Sequence, residues 1–202
     1  MIEDTRVRIV WDTNVFVRAI LFNTPELLDY LDHLLFQQQL GLIEFVVPKA
    51  VEAELYGILR AGRVKNKTLT HEEIIELFSP YPECFESDFL EQLNRYEWPQ
   101  GVGYKDVLYE VLKNEYGWDD WGKSIIEQKL GYSTEYLGLK DIHDLPIMAA
   151  ALQFGVDLLV TVNMQDFIDP LGKIRVMDAY EAKAFPHNIE LRVDGKEFDP
   201  PL

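Results

Sequence analysis

Four acids in this chain stand where an acidic side chain could do chemistry. Asp12 ends the apolar run Val7-Arg8-Ile9-Val10-Trp11, and Glu54 lies on an amphipathic stretch from about Lys49 to Arg60. Asp144 heads an Ala-rich segment that reaches Phe154, and Asp166 closes a polar turn behind Val156 to Val162. Gathered in one place, these carboxylates would offer the hard oxygen donors that Mg2+ or Mn2+ needs, with room for retained waters. Such ions can activate a water and stabilise the leaving oxygen of a phosphodiester. Each acid also has an ordinary reading. Asp12 and Asp144 suit helix N-caps, Glu54 suits a solvated helix face, and Asp166 suits a turn. Glu52 and Glu54 flank the apolar stripe of their helix almost equally, so helical geometry does not choose between them.

The elements that must position these acids follow from periodicity. Val7 to Trp11 predicts a buried strand, and Asp12-Thr13-Asn14 the first turn of a helix. Leu27, Leu28, Leu31, Leu34 and Leu35 recur at helical spacing. Ile43 to Val47 predicts a second strand, and Pro48 suits the first turn of the next helix, whose stripe is Val51, Leu55, Ile58 and Leu59. From about 61 to 138, turn signals alternate with short helical stretches, among them a capping box at Thr70-His71-Glu72-Glu73. Regularity returns with a helix from Asp144 to Phe154, a strand from Val156 to Val162, a strand from Ile174 to Met177 and a helix from Ala179 to Phe185. The tail from about 187 to 202 reads as loose. This alternation predicts one α/β domain over 1–202. It would have a mainly parallel sheet, helices on both faces and a helical, acidic insertion at about 61–138. Ligands of such sheets bind beyond the carboxyl ends of the strands, which is where Asp12 and the turn at Asn163 to Asp166 fall.

Charge divides the chain. The net charge of −16 excludes a protein that coats nucleic acid by neutralising phosphates, but not an enzyme that holds one phosphodiester on metal ions. His71 to Trp121 holds 13 acidic and three basic residues, so −10 of the −16 lies there. Just before it stand Arg60, Arg63, Lys65 and Lys67, which read equally as solvated cations at a helix end or as a flank that binds RNA phosphates. The tryptophans of the acidic segment need burial, which favours a helical subdomain packed on the core over a docking surface for a basic protein. Cys84 has no second cysteine to pair with and reads as a buried, idle thiol. The acidic N-terminus and the lack of a long apolar run lead us to expect a cytoplasmic protein.

Four segments together resemble the PIN-domain ribonucleases. Arg8 to Val17 looks like their opening strand and Asp-Thr-Asn turn, and Val46 to Leu55 like their second motif, in which a Glu precedes a Leu. Asp144 to Ala151 is similar to the third motif, and Leu159 to Phe167 to the closing strand with its Thr-x-Asn-x-x-Asp-Phe turn. The resemblance implies a Mg2+- or Mn2+-dependent endoribonuclease with Asp12, Glu54, Asp144 and Asp166 as catalytic and metal-binding residues. It favours Glu54 over Glu52, gives supporting roles to Thr13, Asn14, Thr161 and Asn163, and makes Asp141 a weaker extra carboxylate. The layout resembles most the PIN toxins of toxin–antitoxin pairs. The partners expected are therefore an RNA substrate, a basic antitoxin protein and a second copy of the chain. The chain departs from the pattern in its long middle and in Asn163, which stands where some relatives carry an acid. The latter weakens a claim of two tightly held ions.

Two other functions compete. A phosphatase of the haloacid-dehalogenase type would use Asp12 as nucleophile, but it needs an acid two residues on, where this chain has Asn14. A non-catalytic PIN-like module binding RNA or protein is the second, since fold does not fix function. His143 invites a role as general acid, although metal chemistry needs no histidine.

Overall fold

Strand β1, Val7–Trp11, is the central element of the computed structural model, which describes residues 6–118, 123–130, 144–167 and 174–183. It pairs in parallel with β2 (Ile43–Val46) on one side and with β3 (Leu158–Thr161) on the other. Beyond β3 lies β4 (Arg175–Asp178), also parallel, so the order is β2-β1-β3-β4. A parallel strand covered on both faces must be apolar throughout rather than alternating. Accordingly Ile9, Val10 and Trp11 are fully buried, as are all four residues of β3.

The connections decide the layering. From β1 to β2 the chain runs through α1 (Thr13–Phe16), a π-helical turn (Val17–Leu21) and α2 (Pro25–Gln39). From β2 to β3 it runs through α3 (Lys49–Arg60), α4 (His71–Phe78), α5 (Ser87–Asn94), α6 (Tyr104–Tyr116), α7 (Lys123–Leu130) and α8 (Leu145–Gln153). The two connections step across the sheet in opposite directions. Right-handed crossovers therefore put α2 and α8 on opposite faces. The short α9 (Ala179–Ala182) follows β4 and packs on α2. The expected α/β class, parallel sheet and helical middle are all present.

Aromatic packing ties the insertion to the sheet. The Trp11 ring lies 5.3 Å from Phe16, 5.4 Å from Tyr30 and 5.6 Å from Phe45. Phe16 in turn meets Phe85 at 5.6 Å, and Phe85 stacks on Phe78 at 4.1 Å. This chain of rings runs from the central strand to α4, so the insertion and the sheet share one core. Trp98 packs on Tyr56 and Trp118 stacks on Tyr116, which supplies the burial these side chains required. The capping box forms as expected. Glu73 N–H donates to the Thr70 hydroxyl at 3.2 Å, and Thr70 N–H to the Glu73 carboxylate at 2.8 Å.

Some boundaries differ from expectation. The third strand is Leu158–Thr161 rather than Val156 to Val162, because the Asp157 carboxylate is turned to the Arg8 N–H at 2.9 Å. Arg8 also donates to Glu44 at 2.7 Å and to the Phe154 carbonyl at 3.2 Å, joining β1, β2 and the end of α8 at the amino edge of the sheet. Asp141, His143 and the tail from 187 lie outside the described residues. No helix among the described residues is long and apolar enough to cross a membrane.

Gly57, in the middle of α3, marks the closest approach between α3 and the insertion. A Cβ there would stand 2.6 Å from the Trp98 ring and 2.8 Å from Tyr104. Trp98 cannot readily move aside, since its Nε1–H donates to the Leu93 carbonyl at 2.9 Å. Gly57→Ala gains about 1 kcal/mol of helix propensity but overpacks this contact by about 1–3 kcal/mol. We expect thermal melts to show a lower Tm. A raised Tm would show that the ring yields without cost.

Candidate active site

The ladder between β1 and β3 runs one residue past β1: the Asp12 N–H donates to the Val160 carbonyl at 2.8 Å. This fixes Asp12 beside Thr161 at the carboxyl edge of the sheet. Asp12 is buried at the N-cap position of α1, where the Thr13 and Asn14 amides lie near its carboxylate without closing a regular cap. Its Oδ2 accepts the Thr161 hydroxyl at 2.8 Å. The same hydroxyl oxygen accepts the Asn163 N–H at 3.0 Å and the Asn14 side-chain amide at 3.3 Å. A hydroxyl has one proton to give and two lone pairs to fill, so Thr161 is fully used. Asn14 Oδ1 accepts the Val162 N–H at 3.2 Å, locking the start of α1 to the end of β3.

Two further acids join this network. The Thr13 hydroxyl donates to Glu54 Oε2 at 2.6 Å, which brings the middle of α3 to the start of α1. The Asn163 amide donates to the Asp166 carboxylate, and the Asp166 N–H returns to the Asn163 carbonyl at 3.1 Å. Asp166 thus both closes its turn and stays tied, through Asn163 and Thr161, to Asp12. Asp144 stands at the head of α8 without a side-chain capping bond. Helix α8 spans about 13 Å and β3, which it precedes after a short turn, about as much. The head of α8 is therefore level with the carboxyl ends of the strands, the edge that holds Asp12.

The structure also separates the two glutamates that the helical wheel left equal. Glu52 is buried facing the entry to α5, where one oxygen accepts the Glu86 N–H at 3.3 Å and the other has no hydrogen-bond partner. Burial pushes its pKa up to about 8. Glu54 is the one that meets the Asp12 network. Nothing in the spacing marked Glu52 as a buried acid. Cys84 is buried and its thiol pushed up to about 12, an idle thiol as expected.

Burial raises the Asp12 pKa from 3.8 to about 7, and the neighbouring charge of Glu54 adds to the rise. The Thr161 hydroxyl and the amides of Thr13 and Asn14 pull the other way and lose. A buried carboxylate next to a second acid is a set of hard oxygens short of positive charge. Mg2+ commonly uses one or two carboxylates and keeps its remaining positions for water and phosphate oxygens, so the pair Asp12 and Glu54 fits such an ion. Among the described residues, however, no group of three or more His, Cys, Asp or Glu side chains is close enough to hold one ion together. The expected four-carboxylate cluster is thus a linked pair with Asp144 and Asp166 along the same edge.

The basic run disperses. Arg60 turns to the Leu69 carbonyl at 3.0 Å, and Lys67 pairs with Glu73 at 3.1 Å. Lys65 reaches the Leu21 carbonyl at 3.0 Å, and Arg63 is exposed. The four do not form one phosphate-binding face. The sequence also gave no sign of a second polar cluster, in which His71 contacts the Tyr56 hydroxyl and Glu91, each at 3.0 Å, and so braces α3, α4 and α5. Comparison with protein-family models, with curated proteins and with solved structures gave no match.

The raised pKa of Asp12 makes a signed prediction. Between about pH 4 and 7 the folded protein holds a proton on Asp12 that the unfolded chain has released, so this group's contribution to stability falls as pH rises through that window and is flat above it. Glu52 acts with the same sign up to about pH 8. In metal-free buffer, Asp12→Asn should match the wild type below about pH 4 and melt progressively higher as pH rises to about 7, by about 2–4 °C per kcal/mol. Paired melts across that range check it, and an Asp12→Asn curve that merely parallels the wild type would show that Asp12 ionises freely.

Proposed function

We propose that this chain is a Mg2+- or Mn2+-dependent endoribonuclease that hydrolyses RNA phosphodiester bonds, of the PIN-like kind its motifs resemble. The observation that carries the reading is the coupled pair Asp12 and Glu54, held at the carboxyl edge of a parallel sheet by the Thr161 and Thr13 hydroxyls. Burial of Asp12 beside a second acid disfavours its ionised form despite the hydrogen bonds it accepts, and a cation at that place would offset this.

In this reading Asp12 and Glu54 hold the ion, and Asp144 and Asp166 act along the same edge on a second ion or on water. When bound, the ion supplies positive charge to the phosphate oxygens and makes an attacking water more acidic. Thr161 keeps the Asp12 carboxylate in one orientation, so its lone pairs need not reorganise as the reaction proceeds. Thr13 does the same for Glu54. Asn163, exposed in its turn, is placed to orient Asp166 and to offer its amide to a phosphate oxygen. Hydrolysis adds water across the P–O bond, leaving one phosphorylated and one hydroxyl end. The acidic insertion repels RNA and lies outside the substrate path. A basic antitoxin and a second copy of the chain are the protein partners we propose, with the chain as the toxin of such a pair.

The test is incubation of the purified protein with structured and single-stranded RNAs, with and without Mn2+. Cleavage is expected only with metal, and Asp12→Asn and Asp144→Asn should abolish it. Thr161→Val, which leaves every ligand in place but frees the Asp12 carboxylate, should lower metal affinity or activity by about 10–100-fold. Full cleavage by Asp12→Asn overturns the assignment. If Mn2+ changes neither melting nor RNA integrity, the chain is a PIN-like binding module instead.

A further inference from the structure

We propose that Phe22 and Lys65 form a subsite that stacks an unpaired base of single-stranded RNA, an inference that rests on the ribonuclease reading and extends it. Helix α1 leaves Asp12 and widens into the π turn Val17–Leu21, which the Phe22 N–H closes on the Val17 carbonyl at 3.2 Å. Single π turns recur where a helix must redirect side chains at functional sites. Val17, Ile20 and Leu21 pack against the core, whereas Phe22 is 53% exposed. The Phe22 ring is thus left open at the end of a turn whose apolar neighbours pack on the core.

A second segment is bent to meet it. Lys65 and Asn66, in the connection after α3, are consecutive non-glycine residues at φ of +53° and +52°, and Asn23, next to Phe22, is at +51°. L-residues other than glycine take this conformation at a cost, and two in succession are uncommon. The result is that Lys65 Nζ reaches the Leu21 carbonyl at 3.0 Å and stands 5.1 Å from the centre of the Phe22 ring. The ammonium is held by a neutral carbonyl, not by an acid, so its charge is not cancelled. Lys67, two residues on, is by contrast paired with Glu73. Arg18 on the π turn and Arg63 are also exposed. In a chain of net charge −16, the end of α1 thus sets a cation beside an open ring.

A ring face beside a cation fits a nucleotide. Every base has a π face that stacks on an aromatic side chain, and its phosphate is then held by the nearby charge. The base must be unpaired, because a duplex hides its faces and presents more phosphates than this acidic protein tolerates. Ten residues of helical chain separate Phe22 from Asp12, about 15 Å, so a strand bound here passes a few nucleotides from the carboxylates.

The experiment measures binding of a fluorescein-labelled single-stranded RNA decamer in EDTA, where no cleavage occurs, beside the same sequence annealed as a duplex. Saturable binding is expected for the single strand and much weaker binding for the duplex. Phe22→Ala should weaken single-strand binding by about tenfold, within the range of one base stacked on one ring, and Phe22→Trp should restore it with quenching of the added tryptophan. Lys65→Gln should lower the salt slope by about 0.7, one phosphate on a single strand. Val102→Ala, an exposed apolar control on the insertion, should change nothing. Absence of saturable binding, equal binding of the duplex, or Phe22→Ala binding as the wild type overturns the subsite. The ribonuclease reading has its own readout. Mn2+-dependent cleavage with unaffected Phe22→Ala binding removes the subsite alone, and a Phe22-dependent affinity without cleavage removes the catalytic reading alone.

Discussion

A parallel strand with neighbours on both sides and helices over both faces leaves its chain no route out except past its carboxyl end. β1 is such a strand, and its ladder with β3 does not stop at its last residue but takes in the Asp12 N–H through the Val160 carbonyl. The first residue beyond the sheet is therefore held as firmly as the strand itself. Asp12 is delivered to the Thr161 hydroxyl, the chain turns into α1 at once, and Thr13 and Asn14 are carried to Glu54 and to the end of β3 by the same turn. Every contact of the candidate site descends from that one continued ladder.

The same constraint creates the electrostatic problem of the site. A carboxylate held in a buried position next to Glu54 ionises reluctantly, and three hydrogen-bonding groups of the protein are too weak to offset the burial. Hydroxyl and amide dipoles orient the oxygens without neutralising them. Glu52, two residues away in the same helix, faces a different problem, buried at the entry to α5 with an oxygen that has no hydrogen-bond partner. Helix α3 thus carries Glu54 turned to the sheet edge and Glu52 turned to the insertion. The aromatic chain from Trp11 to Phe78 joins the sheet and the insertion into one core around this helix.

Charge is then distributed by the fold rather than by the order of residues. The basic run after α3 reads as one patch in sequence, but its members go to different partners, and Lys65 is the one drawn to the end of α1. Lys65 meets Phe22, more than 40 residues before it in the chain, only because the connection after α3 folds back to the π turn.

What the sequence by itself determined is what short-range physics controls. The β-branched runs at Val7 to Trp11 and Ile43 to Val46, the stripe of α3, the capping box at Thr70 and the Gly155 stop after α8 each depend on residues a few positions apart, and each was readable. The parallel sheet followed from their alternation, and Asp12 and the turn of Asp166 could be assigned to its carboxyl edge because strand ends are local features. The choice of Glu54 over Glu52 could not be made from the helix, because the two are nearly symmetric about its stripe. It was decided by Thr13 on one side and the Glu86 amide on the other. Nor could the bond from Thr161 to Asp12 be read, nor the meeting of Lys65 with Phe22, since these pairs lie far apart in the chain. Such contacts carry no periodic trace, because nothing in the identity of either residue depends on the other until the crossovers have set them side by side.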